Sequence, residues 1–271
     1  MSSPPVELPR MVYGSVPGVG YRVKALSPGL PVGAVRRVLE GHYTPLRGGA
    51  LLEGSESGET WMLHPLNMDR ALLLSRIAGG PDDEIGRQTF TNHSTVVPVD
   101  LVRAGRLSLV GVAQALREVE DRPGLPGTGL PPLSVVPQVA VGDEASSYRA
   151  LLQHMTSASV ETLLAQLMSE SEGRVLVLVR ESSAGERAEI LFRLAEVLIQ
   201  SRLPSITSIS DAPTASVLNH FRLVVAARGV RADHSWRYVE TTLAEPALSP
   251  PRGLEGPLER LRAIVASSGV P

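Results

Sequence analysis

Gly86-Arg87-Gln88-Thr89-Phe90-Thr91-Asn92-His93-Ser94-Thr95-Val96-Val97-Pro98-Val99-Asp100 is the stretch on which the fold turns. Thr, Phe and Val favour extended backbone, and Gly86 and Pro98 bracket the run, so it reads as a strand. A half-buried strand alternates apolar and polar residues. Here one face carries Arg87, Thr89, Thr91, His93 and Thr95, and the other carries Gln88, Phe90, Asn92, Ser94 and Val96. Both faces hold hydrogen-bonding groups. Either the strand borders a polar site, or its side chains close an internal network.

Outward from this strand, Arg70–Ala78 suits a helix by its leucines, yet it is short and is stopped by Gly79-Gly80-Pro81-Asp82-Asp83. It is read as a strand paired with 86–100, with 79–83 as the hairpin loop. Asp100 is placed to cap a short helix from Leu101. Ser108 is placed to cap a longer one with Leu109, Val112, Ala113, Leu116 and Val119 on one face. Residues 1–10 hold three prolines and read as a loosely held lead-in. Met11–Tyr13 and Gly20–Ala25 read as two strands joined by a turn. The glycines at 14, 18 and 20 fit neither phosphate-loop spacing. Ser27–Pro31 is a turn cluster leading into a short helix at Val32–Glu40, closed by Gly41. An exposed loop over 47–59 then leads into a strand at Thr60–Leu66.

Residues 122–147 alternate proline with glycine and cannot sustain a helix, which makes them the expected domain boundary. The reading is therefore a mixed α+β domain over 1–121, with a curved, mostly antiparallel sheet and short helices. A linker over 122–147 joins it to an α/β domain over 148–271. In that second domain Ser147–His154, Ala158–Met168 and Glu186–Ser201 read as helices. Ile206–Ser210, Phe221–Ala227 and Trp236–Leu243 read as strands, and Pro257 opens a terminal helix. Arg174–Val179 is continuously apolar, the mark of a central strand buried on both faces.

Composition narrows the function classes. A hydrophobic fraction of 43% in 271 residues supports a sizeable core. A net charge of −2 gives the chain as a whole no attraction to nucleic acid or anionic membrane. The absence of cysteine removes disulfides, thiolate nucleophiles and cysteine-held zinc together. No signal peptide and no membrane-length apolar run are present, so a cytoplasmic location is expected. Of 26 basic residues only Lys24 is lysine. Together with 22 prolines, this is compatible with a GC-rich genome or with life at high temperature.

Chemistry has few sequence markers. His42, His64, His93, His154, His220 and His234 show no metal-ligand spacing, and no serine-hydrolase elbow occurs. His93 and Ser94 point to opposite faces of a strand, so the histidine cannot activate the serine there. Asp82-Asp83-Glu84 reads as a solvated loop, and Glu181–Gly185 as a plain strand-to-helix connection. No cofactor is expected. Arg87 and His93, six apart, share a face with Thr91. This leaves two readings open, an internal hydrogen-bond network or a functional patch.

The order of motifs resembles a known family. Met11-Val12-Tyr13-Gly14-Ser15, Ala25-Leu26-Ser27-Pro28-Gly29-Leu30 and Gly86-Arg87 running to Phe90 and His93 are similar to the N-terminal domain of the GTPase-associated proteins of bacterial multi-component conflict systems. That family shows a Tyr-x-Ser opening, a Ser-Pro-Gly-Leu element and a Gly-Arg…Phe…His strand. Arg174–Val179, Arg202-Leu203-Pro204, Ile206–Asp211 and Phe221-Arg222-Leu223-Val224 resemble the family's middle region. Thr89-Phe90-Thr91-Asn92 stands where the family has Gly-Asn-Phe-Phe, and the long C-terminal extension is absent. The resemblance implies a non-enzymatic adaptor or regulator beside a small GTPase, with Ser27, Pro28, Gly29, Arg87 and His93 as matching positions. Candidate binding residues are therefore Arg87, Thr91, Asn92, His93, Ser27 and Gly29. The competing reading is a hydrolase or small-ligand enzyme with a polar site around Arg87 and His93.

Overall fold

The computed structural model describes residues 4–16, 18–35, 38, 59–67, 70–82, 88–119, 129–137, 146–169, 174–179, 182–203, 206–210, 221–227, 236–241, 256, 259 and 262–263. Eleven strands are defined among them: β1 (Val6–Leu8), β2 (Arg10–Val16), β3 (Gly20–Leu26), β4 (Glu59–Leu66), β5 (Ala71–Asp82), β6 (Gln88–Pro98), β7 (Leu133–Val135), β8 (Arg174–Val179), β9 (Ser208–Ser210), β10 (Leu223–Ala227) and β11 (Trp236–Glu240). The helices are α1 (Val99–Arg103), α2 (Leu109–Glu118), α3 (Ser146–Leu151), α4 (Ser157–Ser169) and α5 (Ala184–Gln200). Gly41, residues 47–58, Asp83, Arg87 and Pro257 lie outside the described residues.

Both halves of the chain contribute to one nine-stranded mixed sheet, in the order β11-β8-β10-β9-β4-β5-β6-β2-β3. The first four strands are mutually parallel. The last five are antiparallel neighbours. The seam is the antiparallel pairing of β4 with β9 through Met62↔Ile209 and Leu63↔Ser208. The fold is α/β, with a second, two-stranded antiparallel sheet made by β1 and β7.

Both faces of the large sheet are covered. Val175, Val177 and Val179 of β8 join a core with Leu163, Leu191 and Leu194, and all five helices add residues to it. Leu176 turns the other way, into a core with Met11, Met62, Leu73 and Phe90 that Leu30, Val35 and Val38 help to close. The continuous apolar run of β8 follows from this two-sided burial.

Several local expectations hold, each for a physical reason. Gly18, at φ +71°, turns β2 into β3, and the N–H of Val19 returns to the carbonyl of Val16 at 3.1 Å. Ser108 caps α2, accepting from the N–H of Gly111 at 3.5 Å. Ser183 and Glu186 form a reciprocal capping box on α5. Arg70–Ala78 resolves as strand, with Ser75 opposite Ser94.

Other expectations are corrected. The lead-in is anchored: Val6–Leu8 pairs antiparallel with Leu133–Val135, and Leu8 is buried in the main core. Two apolar residues facing a partner strand outweigh the flanking prolines. The expected hairpin loop at 79–83 is strand as far as Asp82, because pairing resumes at Asp82↔Gln88 after an irregularity beyond Gly79↔Phe90. Asp100 does not cap α1. Pro98, with φ −66°, is the N-cap, so the helix begins earlier, at Val99, and Asp100 bonds Arg103 at 2.8 Å instead. Within 122–147, residues 133–135 form β7, and the Pro131 carbonyl accepts from Arg10 Nε at 2.7 Å.

No helix of the described residues is long and apolar enough to cross a membrane.

Candidate functional site

The polar groups of β6 divide between its two faces. Ser94 and Asn92 point to the side of Met11 and Phe90. Ser94 Oγ meets Ser75 Oγ at 2.8 Å and donates to Asn92 Oδ1 at 2.9 Å, and all three residues are fully buried. These side chains form a short hydrogen-bonded chain inside the sheet, which offsets the cost of burying them. Asn92 Nδ2 is buried without a hydrogen-bond partner among the described residues.

The other face of β6 carries Thr91, His93 and Thr95. Cross-strand register sets His93 between Val12 of β2 and Arg76 of β5, and His93 is only 4% exposed. Thr95 Oγ1 donates to the Pro9 carbonyl at 3.0 Å. Thr91 is half-buried opposite Gly14. β6 shows polarity on both faces because it runs inside a two-sided sheet, where Asn92, His93, Ser94 and Thr95 are all buried.

Ser27 is buried, and its hydroxyl accepts from the N–H of Arg10 at 2.7 Å, while its own N–H donates to the Arg10 carbonyl at 2.8 Å. It fastens the end of β3 to the start of β2. Gly29 is exposed at φ +80°, a left-handed turn position with open space where a Cβ would be. Its requirement lies in the backbone. Ser27 belongs to the Arg10 end of β2, whereas Thr91 lies opposite Gly14 farther along the same strand. The structure therefore brings Thr91 and His93 onto one face and puts Asn92 on the opposite one. Arg87 falls outside the described residues.

Two carboxylates, the buried Glu196 and the half-buried Glu59, escaped the sequence reading. Glu196 on α5 is 1% exposed and accepts from Ser108 Oγ (2.9 Å), Leu109 N (2.6 Å), Ser147 Oγ (2.8 Å) and Arg193 Nη1 (3.1 Å). It joins α5, α3 and the N-terminus of α2, where a negative charge is favoured by the helix dipole. Only Ser108, a recognisable cap, hinted at it. Glu59 accepts from Trp61 Nε1 (2.5 Å), Arg76 Nε (2.7 Å) and Arg117 Nη2 (2.9 Å), and the Arg117 guanidinium lies 5.1 Å from the centre of the Trp61 ring. Burial pushes the Glu59 carboxyl upward, but hydrogen bonds and charge from Arg76 and Arg117 outweigh it and hold it below the ordinary carboxylate value.

Where β8 leads into α5, a site that open α/β sheets often give to anions, the helix N-terminus is already occupied by the Glu186 carboxylate, which accepts from Ser183 N at 2.8 Å. Arg187, 2% exposed, turns back onto the Ser182 carbonyl. A void of about 10 Å³ lined by Leu63, Leu72, Ala195, Leu198, Ile199 and Ile206 is apolar and too small for an organic ligand. Among the described residues no group of three His, Asp or Glu side chains is placed to hold a metal ion. No family model matches the chain, and no curated protein or solved structure matches it.

Proposed function

We propose that the chain is a non-enzymatic adaptor or regulatory protein of the cytoplasm, with a protein partner, and that a small GTPase is the partner class implied by its motif order. The hydrogen-bonded chain from Ser75 through Ser94 to Asn92 carries this reading. Asn92, one of the candidate binding residues, is thereby tied into the sheet interior, and its side-chain oxygen is taken up by Ser94. Ser27, a matching position of the motif order, holds two strands together. A structural role for Ser27 favours a function carried on the surface of the fold. Among the described residues the sheet ends at β3, bridged by Gly129 at Leu26, and at β11, and an edge strand pairs readily with an extended segment of another chain. Val19 beside β3 and Tyr238 on β11 add exposed apolar surface there.

Affinity co-purification of the tagged full chain from its native host, with and without added guanine nucleotide, tests the reading. Recovery of a GTPase supports it. Recovery of a different protein leaves the adaptor role and removes the GTPase. Recovery of no protein partner in either condition overturns it.

A further inference from the structure

The only lysine of the chain lies in an unusual position. Residues directly opposite each other on antiparallel strands share a face, so Arg22, opposite Gly14, lies on the face that carries Thr91. The register of β2 and β3 shifts between Val12 and Tyr13, which leaves Lys24 as an extra residue in β3. Its side chain crosses the sheet over Gly14. Lys24 Cε and Thr91 Oγ1 each lie 3.4 Å from the point where a Gly14 side chain would begin. Glycine at 14 thus opens the lane that brings Lys24 up to Thr91.

Arg22 and Lys24 are both half-buried, and neither has a hydrogen bond or ion pair among the described residues. Arg22 Nε is buried with no hydrogen-bond partner among the described residues. The other partly buried cations of the same sheet face are satisfied: Arg76 bonds Glu59, and Arg10 bonds the Pro131 carbonyl. A half-buried cation with no carboxylate partner among the described residues gives up hydration without a compensating pair, a cost that a bound anion removes.

We propose that Arg22, Lys24 and Thr91 form a binding site for a phosphate dianion, free or as the monoester of a small ligand. The donors decide between anions. One cation neutralises a carboxylate, whereas a guanidinium, an ammonium and a hydroxyl together match the two charges and three oxygens of a phosphate. Among the described residues β3 is an edge strand, so the ligand reaches the site from the side of the sheet. It stands independently of the adaptor reading and goes beyond it.

Calorimetric titration of the full chain with inorganic phosphate, with glycerol 3-phosphate and with acetate, at matched ionic strength, tests the site. Saturable binding of a phosphate probe is expected, weakened about tenfold or more by Arg22→Gln and by Lys24→Gln, since each removes a charge-assisted hydrogen bond. Thr91→Val should weaken it less. Tighter binding of the monoester assigns the site to an esterified phosphate, and equal binding assigns it to the free ion. The proposal is overturned if neither phosphate probe binds at millimolar concentration, if acetate binds as tightly, or if the Arg22→Gln/Lys24→Gln double variant binds like the parent. Melting of the ligand-free variants at the parental temperature ensures that lost binding is not lost folding.

Discussion

Glu196 accepts a hydrogen bond from the N–H of Leu109 at 2.6 Å, so one buried carboxylate fixes the start of α2 to the longest helix in the described chain. Glu196→Ala leaves two serine hydroxyls, a backbone N–H and the Arg193 guanidinium short of an acceptor. The expected loss is about 3–5 kcal/mol, the usual cost of stranding partners of a buried charge. Glu196→Gln keeps the shape but aims an N–H₂ at donors, and should lose about 1.5–3 kcal/mol. Urea unfolding of both variants checks this, and a parental midpoint for Glu196→Ala would contradict the assigned role.

Glu59 sets the acid limb of stability. Its folded carboxyl is held below the ordinary value of 4.5, with burial opposed and outweighed by Arg76 and Arg117. A carboxyl depressed on folding adds stability above its unfolded value and loses it as pH falls through the folded value. The parent should therefore weaken as pH drops from about 5 downward, while Glu59→Gln, weaker at neutral pH, should show a shallower decline. Melting temperature against pH for the two proteins measures it. Parallel curves would mean that Glu59 does not contribute.

The hydrogen-bonded chain inside β5 and β6 is asymmetric. Ser94 touches both neighbours, whereas Ser75 touches Ser94 alone in that chain. Ser94→Ala should cost about 1–3 kcal/mol and Ser75→Ala about 1 kcal/mol. The double variant should cost less than the sum, because the two residues share a bond. Strict additivity in denaturant unfolding would show that the hydroxyls act separately.

Ser27 distinguishes a structural position from a recognition position. Its hydroxyl is the acceptor for the buried N–H of Arg10, so Ser27→Ala should destabilise by about 1–3 kcal/mol. An unchanged melting temperature combined with weaker partner capture would move Ser27 to the recognition surface.

The strands and helices were legible where a single periodicity governed them. Arg174–Val179 and Glu186–Ser201 announced themselves by a continuous apolar run and by helical spacing. β6 was legible as a strand, but its setting was not, since Thr91, Asn92, His93 and Ser94 have the same composition whether they face a ligand or each other. Only the register against β2 and β5 decides that, and register depends on residues distant in sequence. β1 was missed for the same reason: its partner, β7, lies within the proline-glycine stretch and has only three residues. Glu196 left no mark in the sequence reading, because three of the four donors around it come from two other places in the chain, the start of α2 and α3. Lys24 was noticed for its rarity, yet its path over Gly14 follows from a strand irregularity that leaves no mark in composition.

The seam between β4 and β9 rests on two residue pairs, and it has a consequence for biosynthesis. β4 and β5 emerge early and can pair at once as a hairpin, whereas β9 appears only after most of the chain has been made. Until then the outer edge of β4, which carries the buried Trp61, Met62 and Leu63, has no neighbour. An unpaired apolar edge is the surface on which nascent chains associate wrongly. The late arrival of three residues, Ser208–Ser210, thus closes an apolar border that the earlier strands leave open during synthesis.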